Sequence, residues 1–145
     1  MNMMKPLILA AALALTACVS TTGQPPHVRI TNDPGGGFLA HHERWLNHWA
    51  AIGTAEVDGF CGSACTMVLM LGPDVCTTPG SVWAFHASSD GRGTIGLEAT
   101  ALMRAYYPPD LQLWFDQNAA HLHGADYAQL SGAQMIAAGY VKECL

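Results

Sequence analysis

Charged side chains are scarce in this sequence. Of its 145 residues 12% are charged, against about 25% in a typical soluble domain, and 6 Lys and Arg face 11 Asp and Glu. A formal net charge of -5 without a basic cluster disfavours nucleic acid as a partner. No apolar run reaches the roughly 20 residues of a membrane-spanning helix. The 15 Gly and 8 Pro argue against coiled coil and disorder, so we predict one globular domain.

The first residues have the composition of an export signal. One cation, Lys5, precedes a short apolar stretch from Leu7 to Leu15, and we predict that residues 1–17 are a signal peptide. The run Leu15-Thr16-Ala17-Cys18 resembles the lipobox of bacterial lipoproteins, whose Cys is lipidated and becomes the new N-terminus. The alternative is an ordinary signal peptide that is cut nearby, with Cys18 incidental.

The lipobox resemblance implies an address and a membrane partner for the N-terminal lipid. Val19 follows the Cys, and a residue other than Asp there implies delivery to the periplasmic side of the outer membrane. Residues 18–26 are then a polar tether and residues 27–145 a periplasmic domain. In this oxidising compartment disulfides persist, and four cysteines leave three complete pairings open. These cysteines are Cys61, Cys65, Cys76 and Cys144.

The spacing of apolar residues predicts strands that alternate with helices. We predict strands at 27–32, 54–60, 74–78 and 82–86, and helices at 38–52, 64–71, 95–106, 111–121 and 131–138. The segment 64–71 has no polar face, so we expect that helix to be buried. This alternation is typical of an α/β fold with a mostly parallel sheet.

Ser63 and His86 have the sequence context of a nucleophile and its base. Ser63 lies between Gly62 and Ala64, where a strand meets the buried helix and unpaired amides favour a developing negative charge. His86 ends a strand and is suited to remove the Ser63 proton. The amides of Gly36 and Ala64 are the candidate oxyanion donors. An N-cap serine and a structural histidine are the plain alternatives, and the absence of G-x-S-x-G disfavours an α/β-hydrolase.

Five short motifs in chain order resemble the Clp protease proteolytic subunit family. They are Asn32-Asp33-Pro34-Gly35-Gly36, Gly62-Ser63-Ala64-Cys65, Thr78-Pro79-Gly80-Ser81, Phe85-His86 and Leu130-Ser131 to Gly139. The run Cys61-Gly62-Ser63-Ala64-Cys65-Thr66 is similar to that family's periplasmic relatives of uncharacterised activity. The resemblance implies the Clp/crotonase fold and cofactor-free hydrolysis of a peptide or acyl substrate. It implies Ser63 as nucleophile, His86 as base, and Gly36 and Ala64 as amide donors.

Two features depart from the family's pattern. The family's orienting aspartate precedes the last helix, and the nearest candidate here is Asp126, one residue out of register, for which a loop role is the alternative. From Cys18 to Asp33 the chain is too short for the family's opening strand–helix unit. We therefore expect an N-terminally shortened sheet whose exposed hydrophobic edge is covered by the tether, a lipid surface or another protomer. A homo-oligomer is thus left open.

Histidines and cysteines suggest further hypotheses. We interpret His41, His42 and His48 as residues of a polar helix face, because no second ligand pair follows at i and i+4, and we predict no metal. A zinc set of Cys61, Cys65, Cys76 and His86 is disfavoured because the spacing is C-x3-C and the compartment favours cystine. Two functions compete with the hydrolase. One is a non-catalytic envelope lipoprotein that keeps the fold for binding or assembly, and the other is a thiol-redox module that uses Cys61 and Cys65.

Overall fold

The computed structural model describes residues 27–51 and 53–145. The predicted signal peptide, tether and lipidated Cys18 lie outside these residues, as does Ile52, the predicted last residue of the first helix. Within the described ranges, no helix combines the length and the apolar character that crossing a bilayer requires.

A six-stranded, mostly parallel sheet with flanking helices forms the fold. The strands are β1 (His27–Asp33), β2 (Thr54–Gly62), β3 (Val75–Thr77), β4 (Val82–Phe85), β5 (Ala128–Ser131) and β6 (Lys142–Glu143). The helices are α1 (Phe38–Ala50), a 3₁₀ helix (Ser63–Asp74), α2 (Leu97–Ala105), α3 (Pro109–Asn118) and α4 (Gly132–Ala137). The predicted α/β class and mostly parallel sheet are confirmed, and each predicted strand and helix overlaps an observed one.

The central strand β2 brings two strand ends together. Its first half pairs with β1 and β3, and its second half with β1 and β4, all in parallel. Gly62, the last residue of β2, is in register with Ala84 near the end of β4. The residues that follow the two strands, Ser63 and His86, therefore emerge at the same edge of the sheet. On the other side of β3, β6 continues the sheet in parallel.

Strand β5 was not predicted, because the alternation of its four residues, AQLS, is too short to be distinguished from the start of the helix that follows. It pairs antiparallel with β4 and leads directly into α4. The N-cap Ser131 accepts a hydrogen bond from the Gln134 amide, and the Gln134 side chain accepts one from the Ser131 amide. Just before β5, the Leu122 carbonyl accepts the Ala87 amide at 2.9 Å. The chain before β5 therefore lies beside His86.

Among the described strands, only β2 pairs with β1, so β1 is an edge strand. The expected hydrophobic character of this edge is wrong. The exposed residues of β1 are all polar, and Arg29 among them pairs with Glu56 and Asp58, whereas Ile30 is buried. Alternation along the strand turns its apolar side chains inward and leaves charge at the edge.

The 3₁₀ helix lies in the middle of the core. Every residue from Ala64 to Leu71 is buried, which confirms the prediction of a helix without a polar face. Two disulfides, Cys61–Cys65 and Cys76–Cys144, select one of the three pairings that the sequence left open. All four cysteines are oxidised, which fits an extracytoplasmic compartment.

Candidate active site

Ser63 has a left-handed backbone at the turn from β2 into the 3₁₀ helix. Its φ of 54° makes it the one non-glycine residue with positive φ in residues 27–51 and 53–145. Such a conformation costs about 1–3 kcal/mol and persists where the surrounding structure imposes it. Gly62 before it is still extended, and the Cys61–Cys65 disulfide spans the turn. Strain of this kind is concentrated at functional sites.

The Ser63 hydroxyl and the His86 imidazole meet at hydrogen-bond distance. Ser63 Oγ lies 2.6 Å from His86 Nε2, so the hydroxyl donates to Nε2 when that nitrogen carries no proton. Each residue directly follows its strand, Ser63 after β2 and His86 after β4. The structure thus brings the two predicted residues together in the geometry of a nucleophile and its general base.

His86 is held in its neutral form. Its side chain is buried, and burial lowers the pKa of His86 below the usual 6.5. An electrostatic interaction with His123 lowers the pKa of His86 further. An imidazole with a lowered pKa is uncharged at neutral pH, and only the uncharged ring can accept a proton from Ser63.

Asp126 does not make the predicted hydrogen bond to the imidazole. Asp126 is exposed, and His86 Nδ1 is buried without a hydrogen-bond partner among the residues that the structure describes. The ring of Tyr127 lies against the imidazole instead, with the ring centroids 4.5 Å apart. The physical reason is a local turn at Gly124, which has φ 67°, and a hydrogen bond from the Asp126 amide to the His123 carbonyl. The arrangement is a Ser–His pair with an aromatic neighbour.

A cleft of about 340 Å³ opens beside this pair. Its lining includes the glycine loop from Pro34 to Phe38 and the side chains of Ser63, His86 and Tyr127, together with Ala64. The two predicted oxyanion donors, Gly36 and Ala64, therefore line the same cleft as Ser63. Ala64 is in the first turn of the 3₁₀ helix, where amides have no partner within the helix.

The glycine loop packs directly on the turn from Gly62 to Ala64. A Cβ atom on Gly35 would lie 2.5 Å from the Gly62 carbonyl oxygen and 2.6 Å from Ser63 Cβ, so only glycine allows this contact. Gly36 has φ +88° and no atom within 4 Å of a Cβ position, so it faces open space in the cleft. Both glycines adopt positive φ, which their lack of a side chain permits.

The carboxylate of Asp33 holds the glycine loop in place by hydrogen bonds. Its Oδ1 atom accepts the Gly35 amide at 2.9 Å, and its carboxylate is paired with His41 Nε2 at 3.0 Å. This role of Asp33 was not predicted, although an Asp side chain often closes a turn by accepting the amide two residues further on. Tyr127 is the other site residue that was missed, and no local signal marks it.

The assignment of the three histidines of α1 to a polar face is wrong for His41, which is buried, whereas His42 and His48 are half-buried and have hydrogen-bond partners. His41 is 5% exposed and its side chain is paired with that of Asp33. His42 shares a hydrogen bond with the Tyr106 hydroxyl. His48 Nε2 lies 3.0 Å from the Thr54 carbonyl oxygen. Period-3.6 spacing shows which residues share a face, but not that a neighbouring loop covers that face. Within the described residues, no three His, Cys, Asp or Glu side chains are grouped as metal ligands.

The cysteines next to Ser63 lack the access that redox exchange needs. Cys61 and Cys65 form a disulfide, as the thiol-redox hypothesis requires, but both residues are 0% exposed. Thiol–disulfide exchange proceeds by attack of an external thiolate on one sulfur atom. In this fold neither sulfur atom is open to such attack, which argues for a structural role.

A scan against protein-family models and a search of the curated proteins found no match for this chain.

Proposed function

We propose that this protein is a serine hydrolase of the Clp/crotonase type that attacks a peptide or acyl carbonyl with Ser63, assisted by His86. One observation carries the proposal: a Ser63 Oγ to His86 Nε2 distance of 2.6 Å in a cleft that a substrate can enter. The strained backbone of Ser63 and the neutral state of His86 support it.

The chemistry follows from the positions of these groups. As Ser63 Oγ bonds to the carbonyl carbon, its proton moves to His86 Nε2 and the carbonyl electron pair moves to oxygen. The amides of Gly36 and Ala64 stabilise that oxyanion. His86 then gives the proton to the leaving group, and an acyl group remains on Ser63. Water deprotonated by His86 releases the acid and restores the hydroxyl. No cofactor enters these steps.

The motifs shared with the Clp protease family support the fold part of the proposal. The glycine loop, the Ser63 turn and His86 meet at one cleft. The Thr78 to Ser81 turn contacts the start of α4, where a Cβ on Gly132 would lie 1.9 Å from the Thr78 carbonyl oxygen. Motifs that are far apart in the chain are therefore close in space, as expected if they are signatures of one fold rather than chance similarities.

An activity-based probe tests the function. We expect a fluorophosphonate to label the folded wild-type protein and to leave Ser63→Ala unlabelled. Ser89→Ala is the matched control, because Ser89 lines the same cleft and its hydroxyl accepts the Gly91 amide. Labelling of Ser89→Ala should equal that of wild type. A folded wild-type protein that never reacts would favour the alternative, a non-catalytic envelope lipoprotein that uses the fold for binding or assembly.

We also propose that Cys18 is lipidated and holds the domain at the periplasmic side of the outer membrane. The lipobox resemblance carries this proposal, and the two disulfides support an oxidising compartment. Cys18→Ser should move the protein from the membrane fraction to the soluble fraction of the periplasm. Membrane association that is unchanged in Cys18→Ser would rule out the anchor.

A further inference from the structure

The turn that carries Ser63 is closed by a covalent ring. Cys61 belongs to β2 and Cys65 to the first turns of the 3₁₀ helix, and their disulfide joins positions 4 residues apart. Ser63 is the middle residue of this ring. An extended chain would carry the two Cα atoms about 13 Å apart. The disulfide holds them at 5.4 Å, so the chain must turn out of the extended conformation inside the ring.

The turn of the chain occurs at Ser63. Cys61 and Gly62 are still part of β2, and Gly62 is extended with φ -119° and ψ 156°. The next residue, Ser63, has φ 54°. A serine has no intrinsic preference for this backbone region, so a neighbouring constraint has to impose it. The ring constrains the chain on both sides of Ser63 at once.

We infer that the Cys61–Cys65 disulfide is a positioning device for the nucleophile, which fixes the Ser63 backbone so that Oγ lies against His86 Nε2. The inference rests on the proposed function and states what holds Ser63 Oγ in position against His86 Nε2. Cys61 and Cys65 touch no reacting atom and are positioning residues. Because both are fully buried, the ring acts by geometry and takes no part in electron transfer.

The second disulfide offers a matched control in the same chain. Cys76–Cys144 joins β3 to the residue after β6, with a sequence separation of 68, and neither cysteine lines the cleft of Ser63. Removal of either disulfide deletes two sulfur atoms and one S–S bond. A general effect of lost cross-linking would appear in both variants, whereas a positioning effect would appear only at Cys61–Cys65.

The test compares fluorophosphonate labelling rates of the full chain in its oxidised form. In Cys61→Ala/Cys65→Ala we expect the rate to fall about 100-fold, the scale that a displacement of about 1 Å imposes on a reacting group. In Cys76→Ala/Cys144→Ala, measured at a temperature where it is folded, the rate should equal that of wild type. A folded Cys61→Ala/Cys65→Ala protein that reacts at the wild-type rate overturns the inference.

Two additions keep the test decisive. If the alanine pair does not fold, Cys61→Ala/Cys65→Val restores buried volume without the bond, and the same fall in rate is expected. If wild type itself never reacts, the proposed function fails, and the NMR titration of the His86 ring then tests the positioning alone. That titration should change on loss of Cys61–Cys65 and stay unchanged on loss of Cys76–Cys144. An unchanged titration in both variants overturns the inference independently of activity.

Discussion

The two disulfides lie in different regions of the molecule and close loops of very different length. Cys61–Cys65 closes a ring of a few residues around the nucleophile, inside the core. Cys76–Cys144 closes most of the domain into a loop and ties the short C-terminal strand β6 to β3. The entropy that a cross-link removes from the unfolded chain grows with loop length. We therefore expect Cys61–Cys65 to act mainly on local geometry and Cys76–Cys144 mainly on global stability.

The largest expected effect is on stability, and it sharpens the comparison. By loop-closure entropy, Cys76–Cys144 should contribute about 4 kcal/mol to the free energy of unfolding, against about 2 kcal/mol for Cys61–Cys65. Strand β6 has only two residues, both exposed, and one added backbone bond from the Cys144 amide to the Thr77 carbonyl. Urea unfolding of the two Cys→Ala pairs measures both values. The reverse order would break the comparison.

The next effect concerns the contact between the glycine loop and the Ser63 turn. Gly35→Ala should lower the labelling rate about 100-fold, because the added Cβ would lie 2.8 Å from the Ala64 nitrogen and would push the loop off the turn. Gly91→Ala is the control, since Gly91 has the same φ of +78° but open space around its Cβ position. Comparable losses of activity in both variants would mean that backbone strain, not the contact, is responsible.

The pH dependence tests the electrostatics of the site region. His86 must be uncharged to act as a base, and it is uncharged above its pKa. Since burial and His123 lower this pKa, labelling should persist below pH 6.5 and be lost only as the ring becomes protonated. His123→Gln removes the electrostatic interaction that lowers the pKa of His86, so the acid limb of the rate profile should shift to higher pH. An acid limb that does not move would exclude His123 as a neighbour that influences the base.

The smallest expected effect comes from a hydrogen-bonded chain behind Ser63. The Tyr107 hydroxyl lies 2.7 Å from Thr66 Oγ1, which donates to the Ser63 carbonyl at 2.7 Å. Burial raises the pKa of Tyr107, so its hydroxyl stays protonated and can donate. Tyr107→Phe should cost about 1 kcal/mol of stability and slow labelling less than loss of Cys61–Cys65 does.

Tyr106→Phe is the control for this variant, because its hydroxyl bonds to His42 rather than to the Ser63 turn. Thermal unfolding and labelling rates measure both variants. A larger loss of rate in Tyr107→Phe than in Cys61→Ala/Cys65→Ala would assign the positioning role to the hydrogen bonds instead of the disulfide.

The same contrast explains which parts of the site could be predicted from the sequence. Ser63 and His86 were predicted as a pair from their positions at strand ends together with the resemblance to the Clp protease family, because local features alone fit an N-cap serine and a structural histidine equally well. The structure places both residues at the ends of neighbouring parallel strands. The pairing of the cysteines could not be predicted, because it depends on which strands become neighbours. Strand β5 was missed because an alternation of only four residues directly before a helix is too short to be recognised.

Asp126 shows the limit of register arguments. A shift of the chain by one residue decides whether the carboxylate of Asp126 or the ring of Tyr127 faces His86. The turn at Gly124, rather than the strand pattern, determines this register. The burial of His41 was missed for a related reason. Its partner Asp33 lies in the preceding strand, and helical periodicity carries no information about contacts across a loop.

The central claim is that Ser63, His86 and the two amides act on one carbonyl group. A crystal structure of the protein after reaction with a fluorophosphonate tests it most directly. We expect a phosphonyl group on Ser63 Oγ, with its oxygen about 2.7–3.1 Å from the amide nitrogens of Gly36 and Ala64 and its phosphorus substituents in the cleft. An adduct on another residue, or an oxygen turned away from both amides, would contradict it.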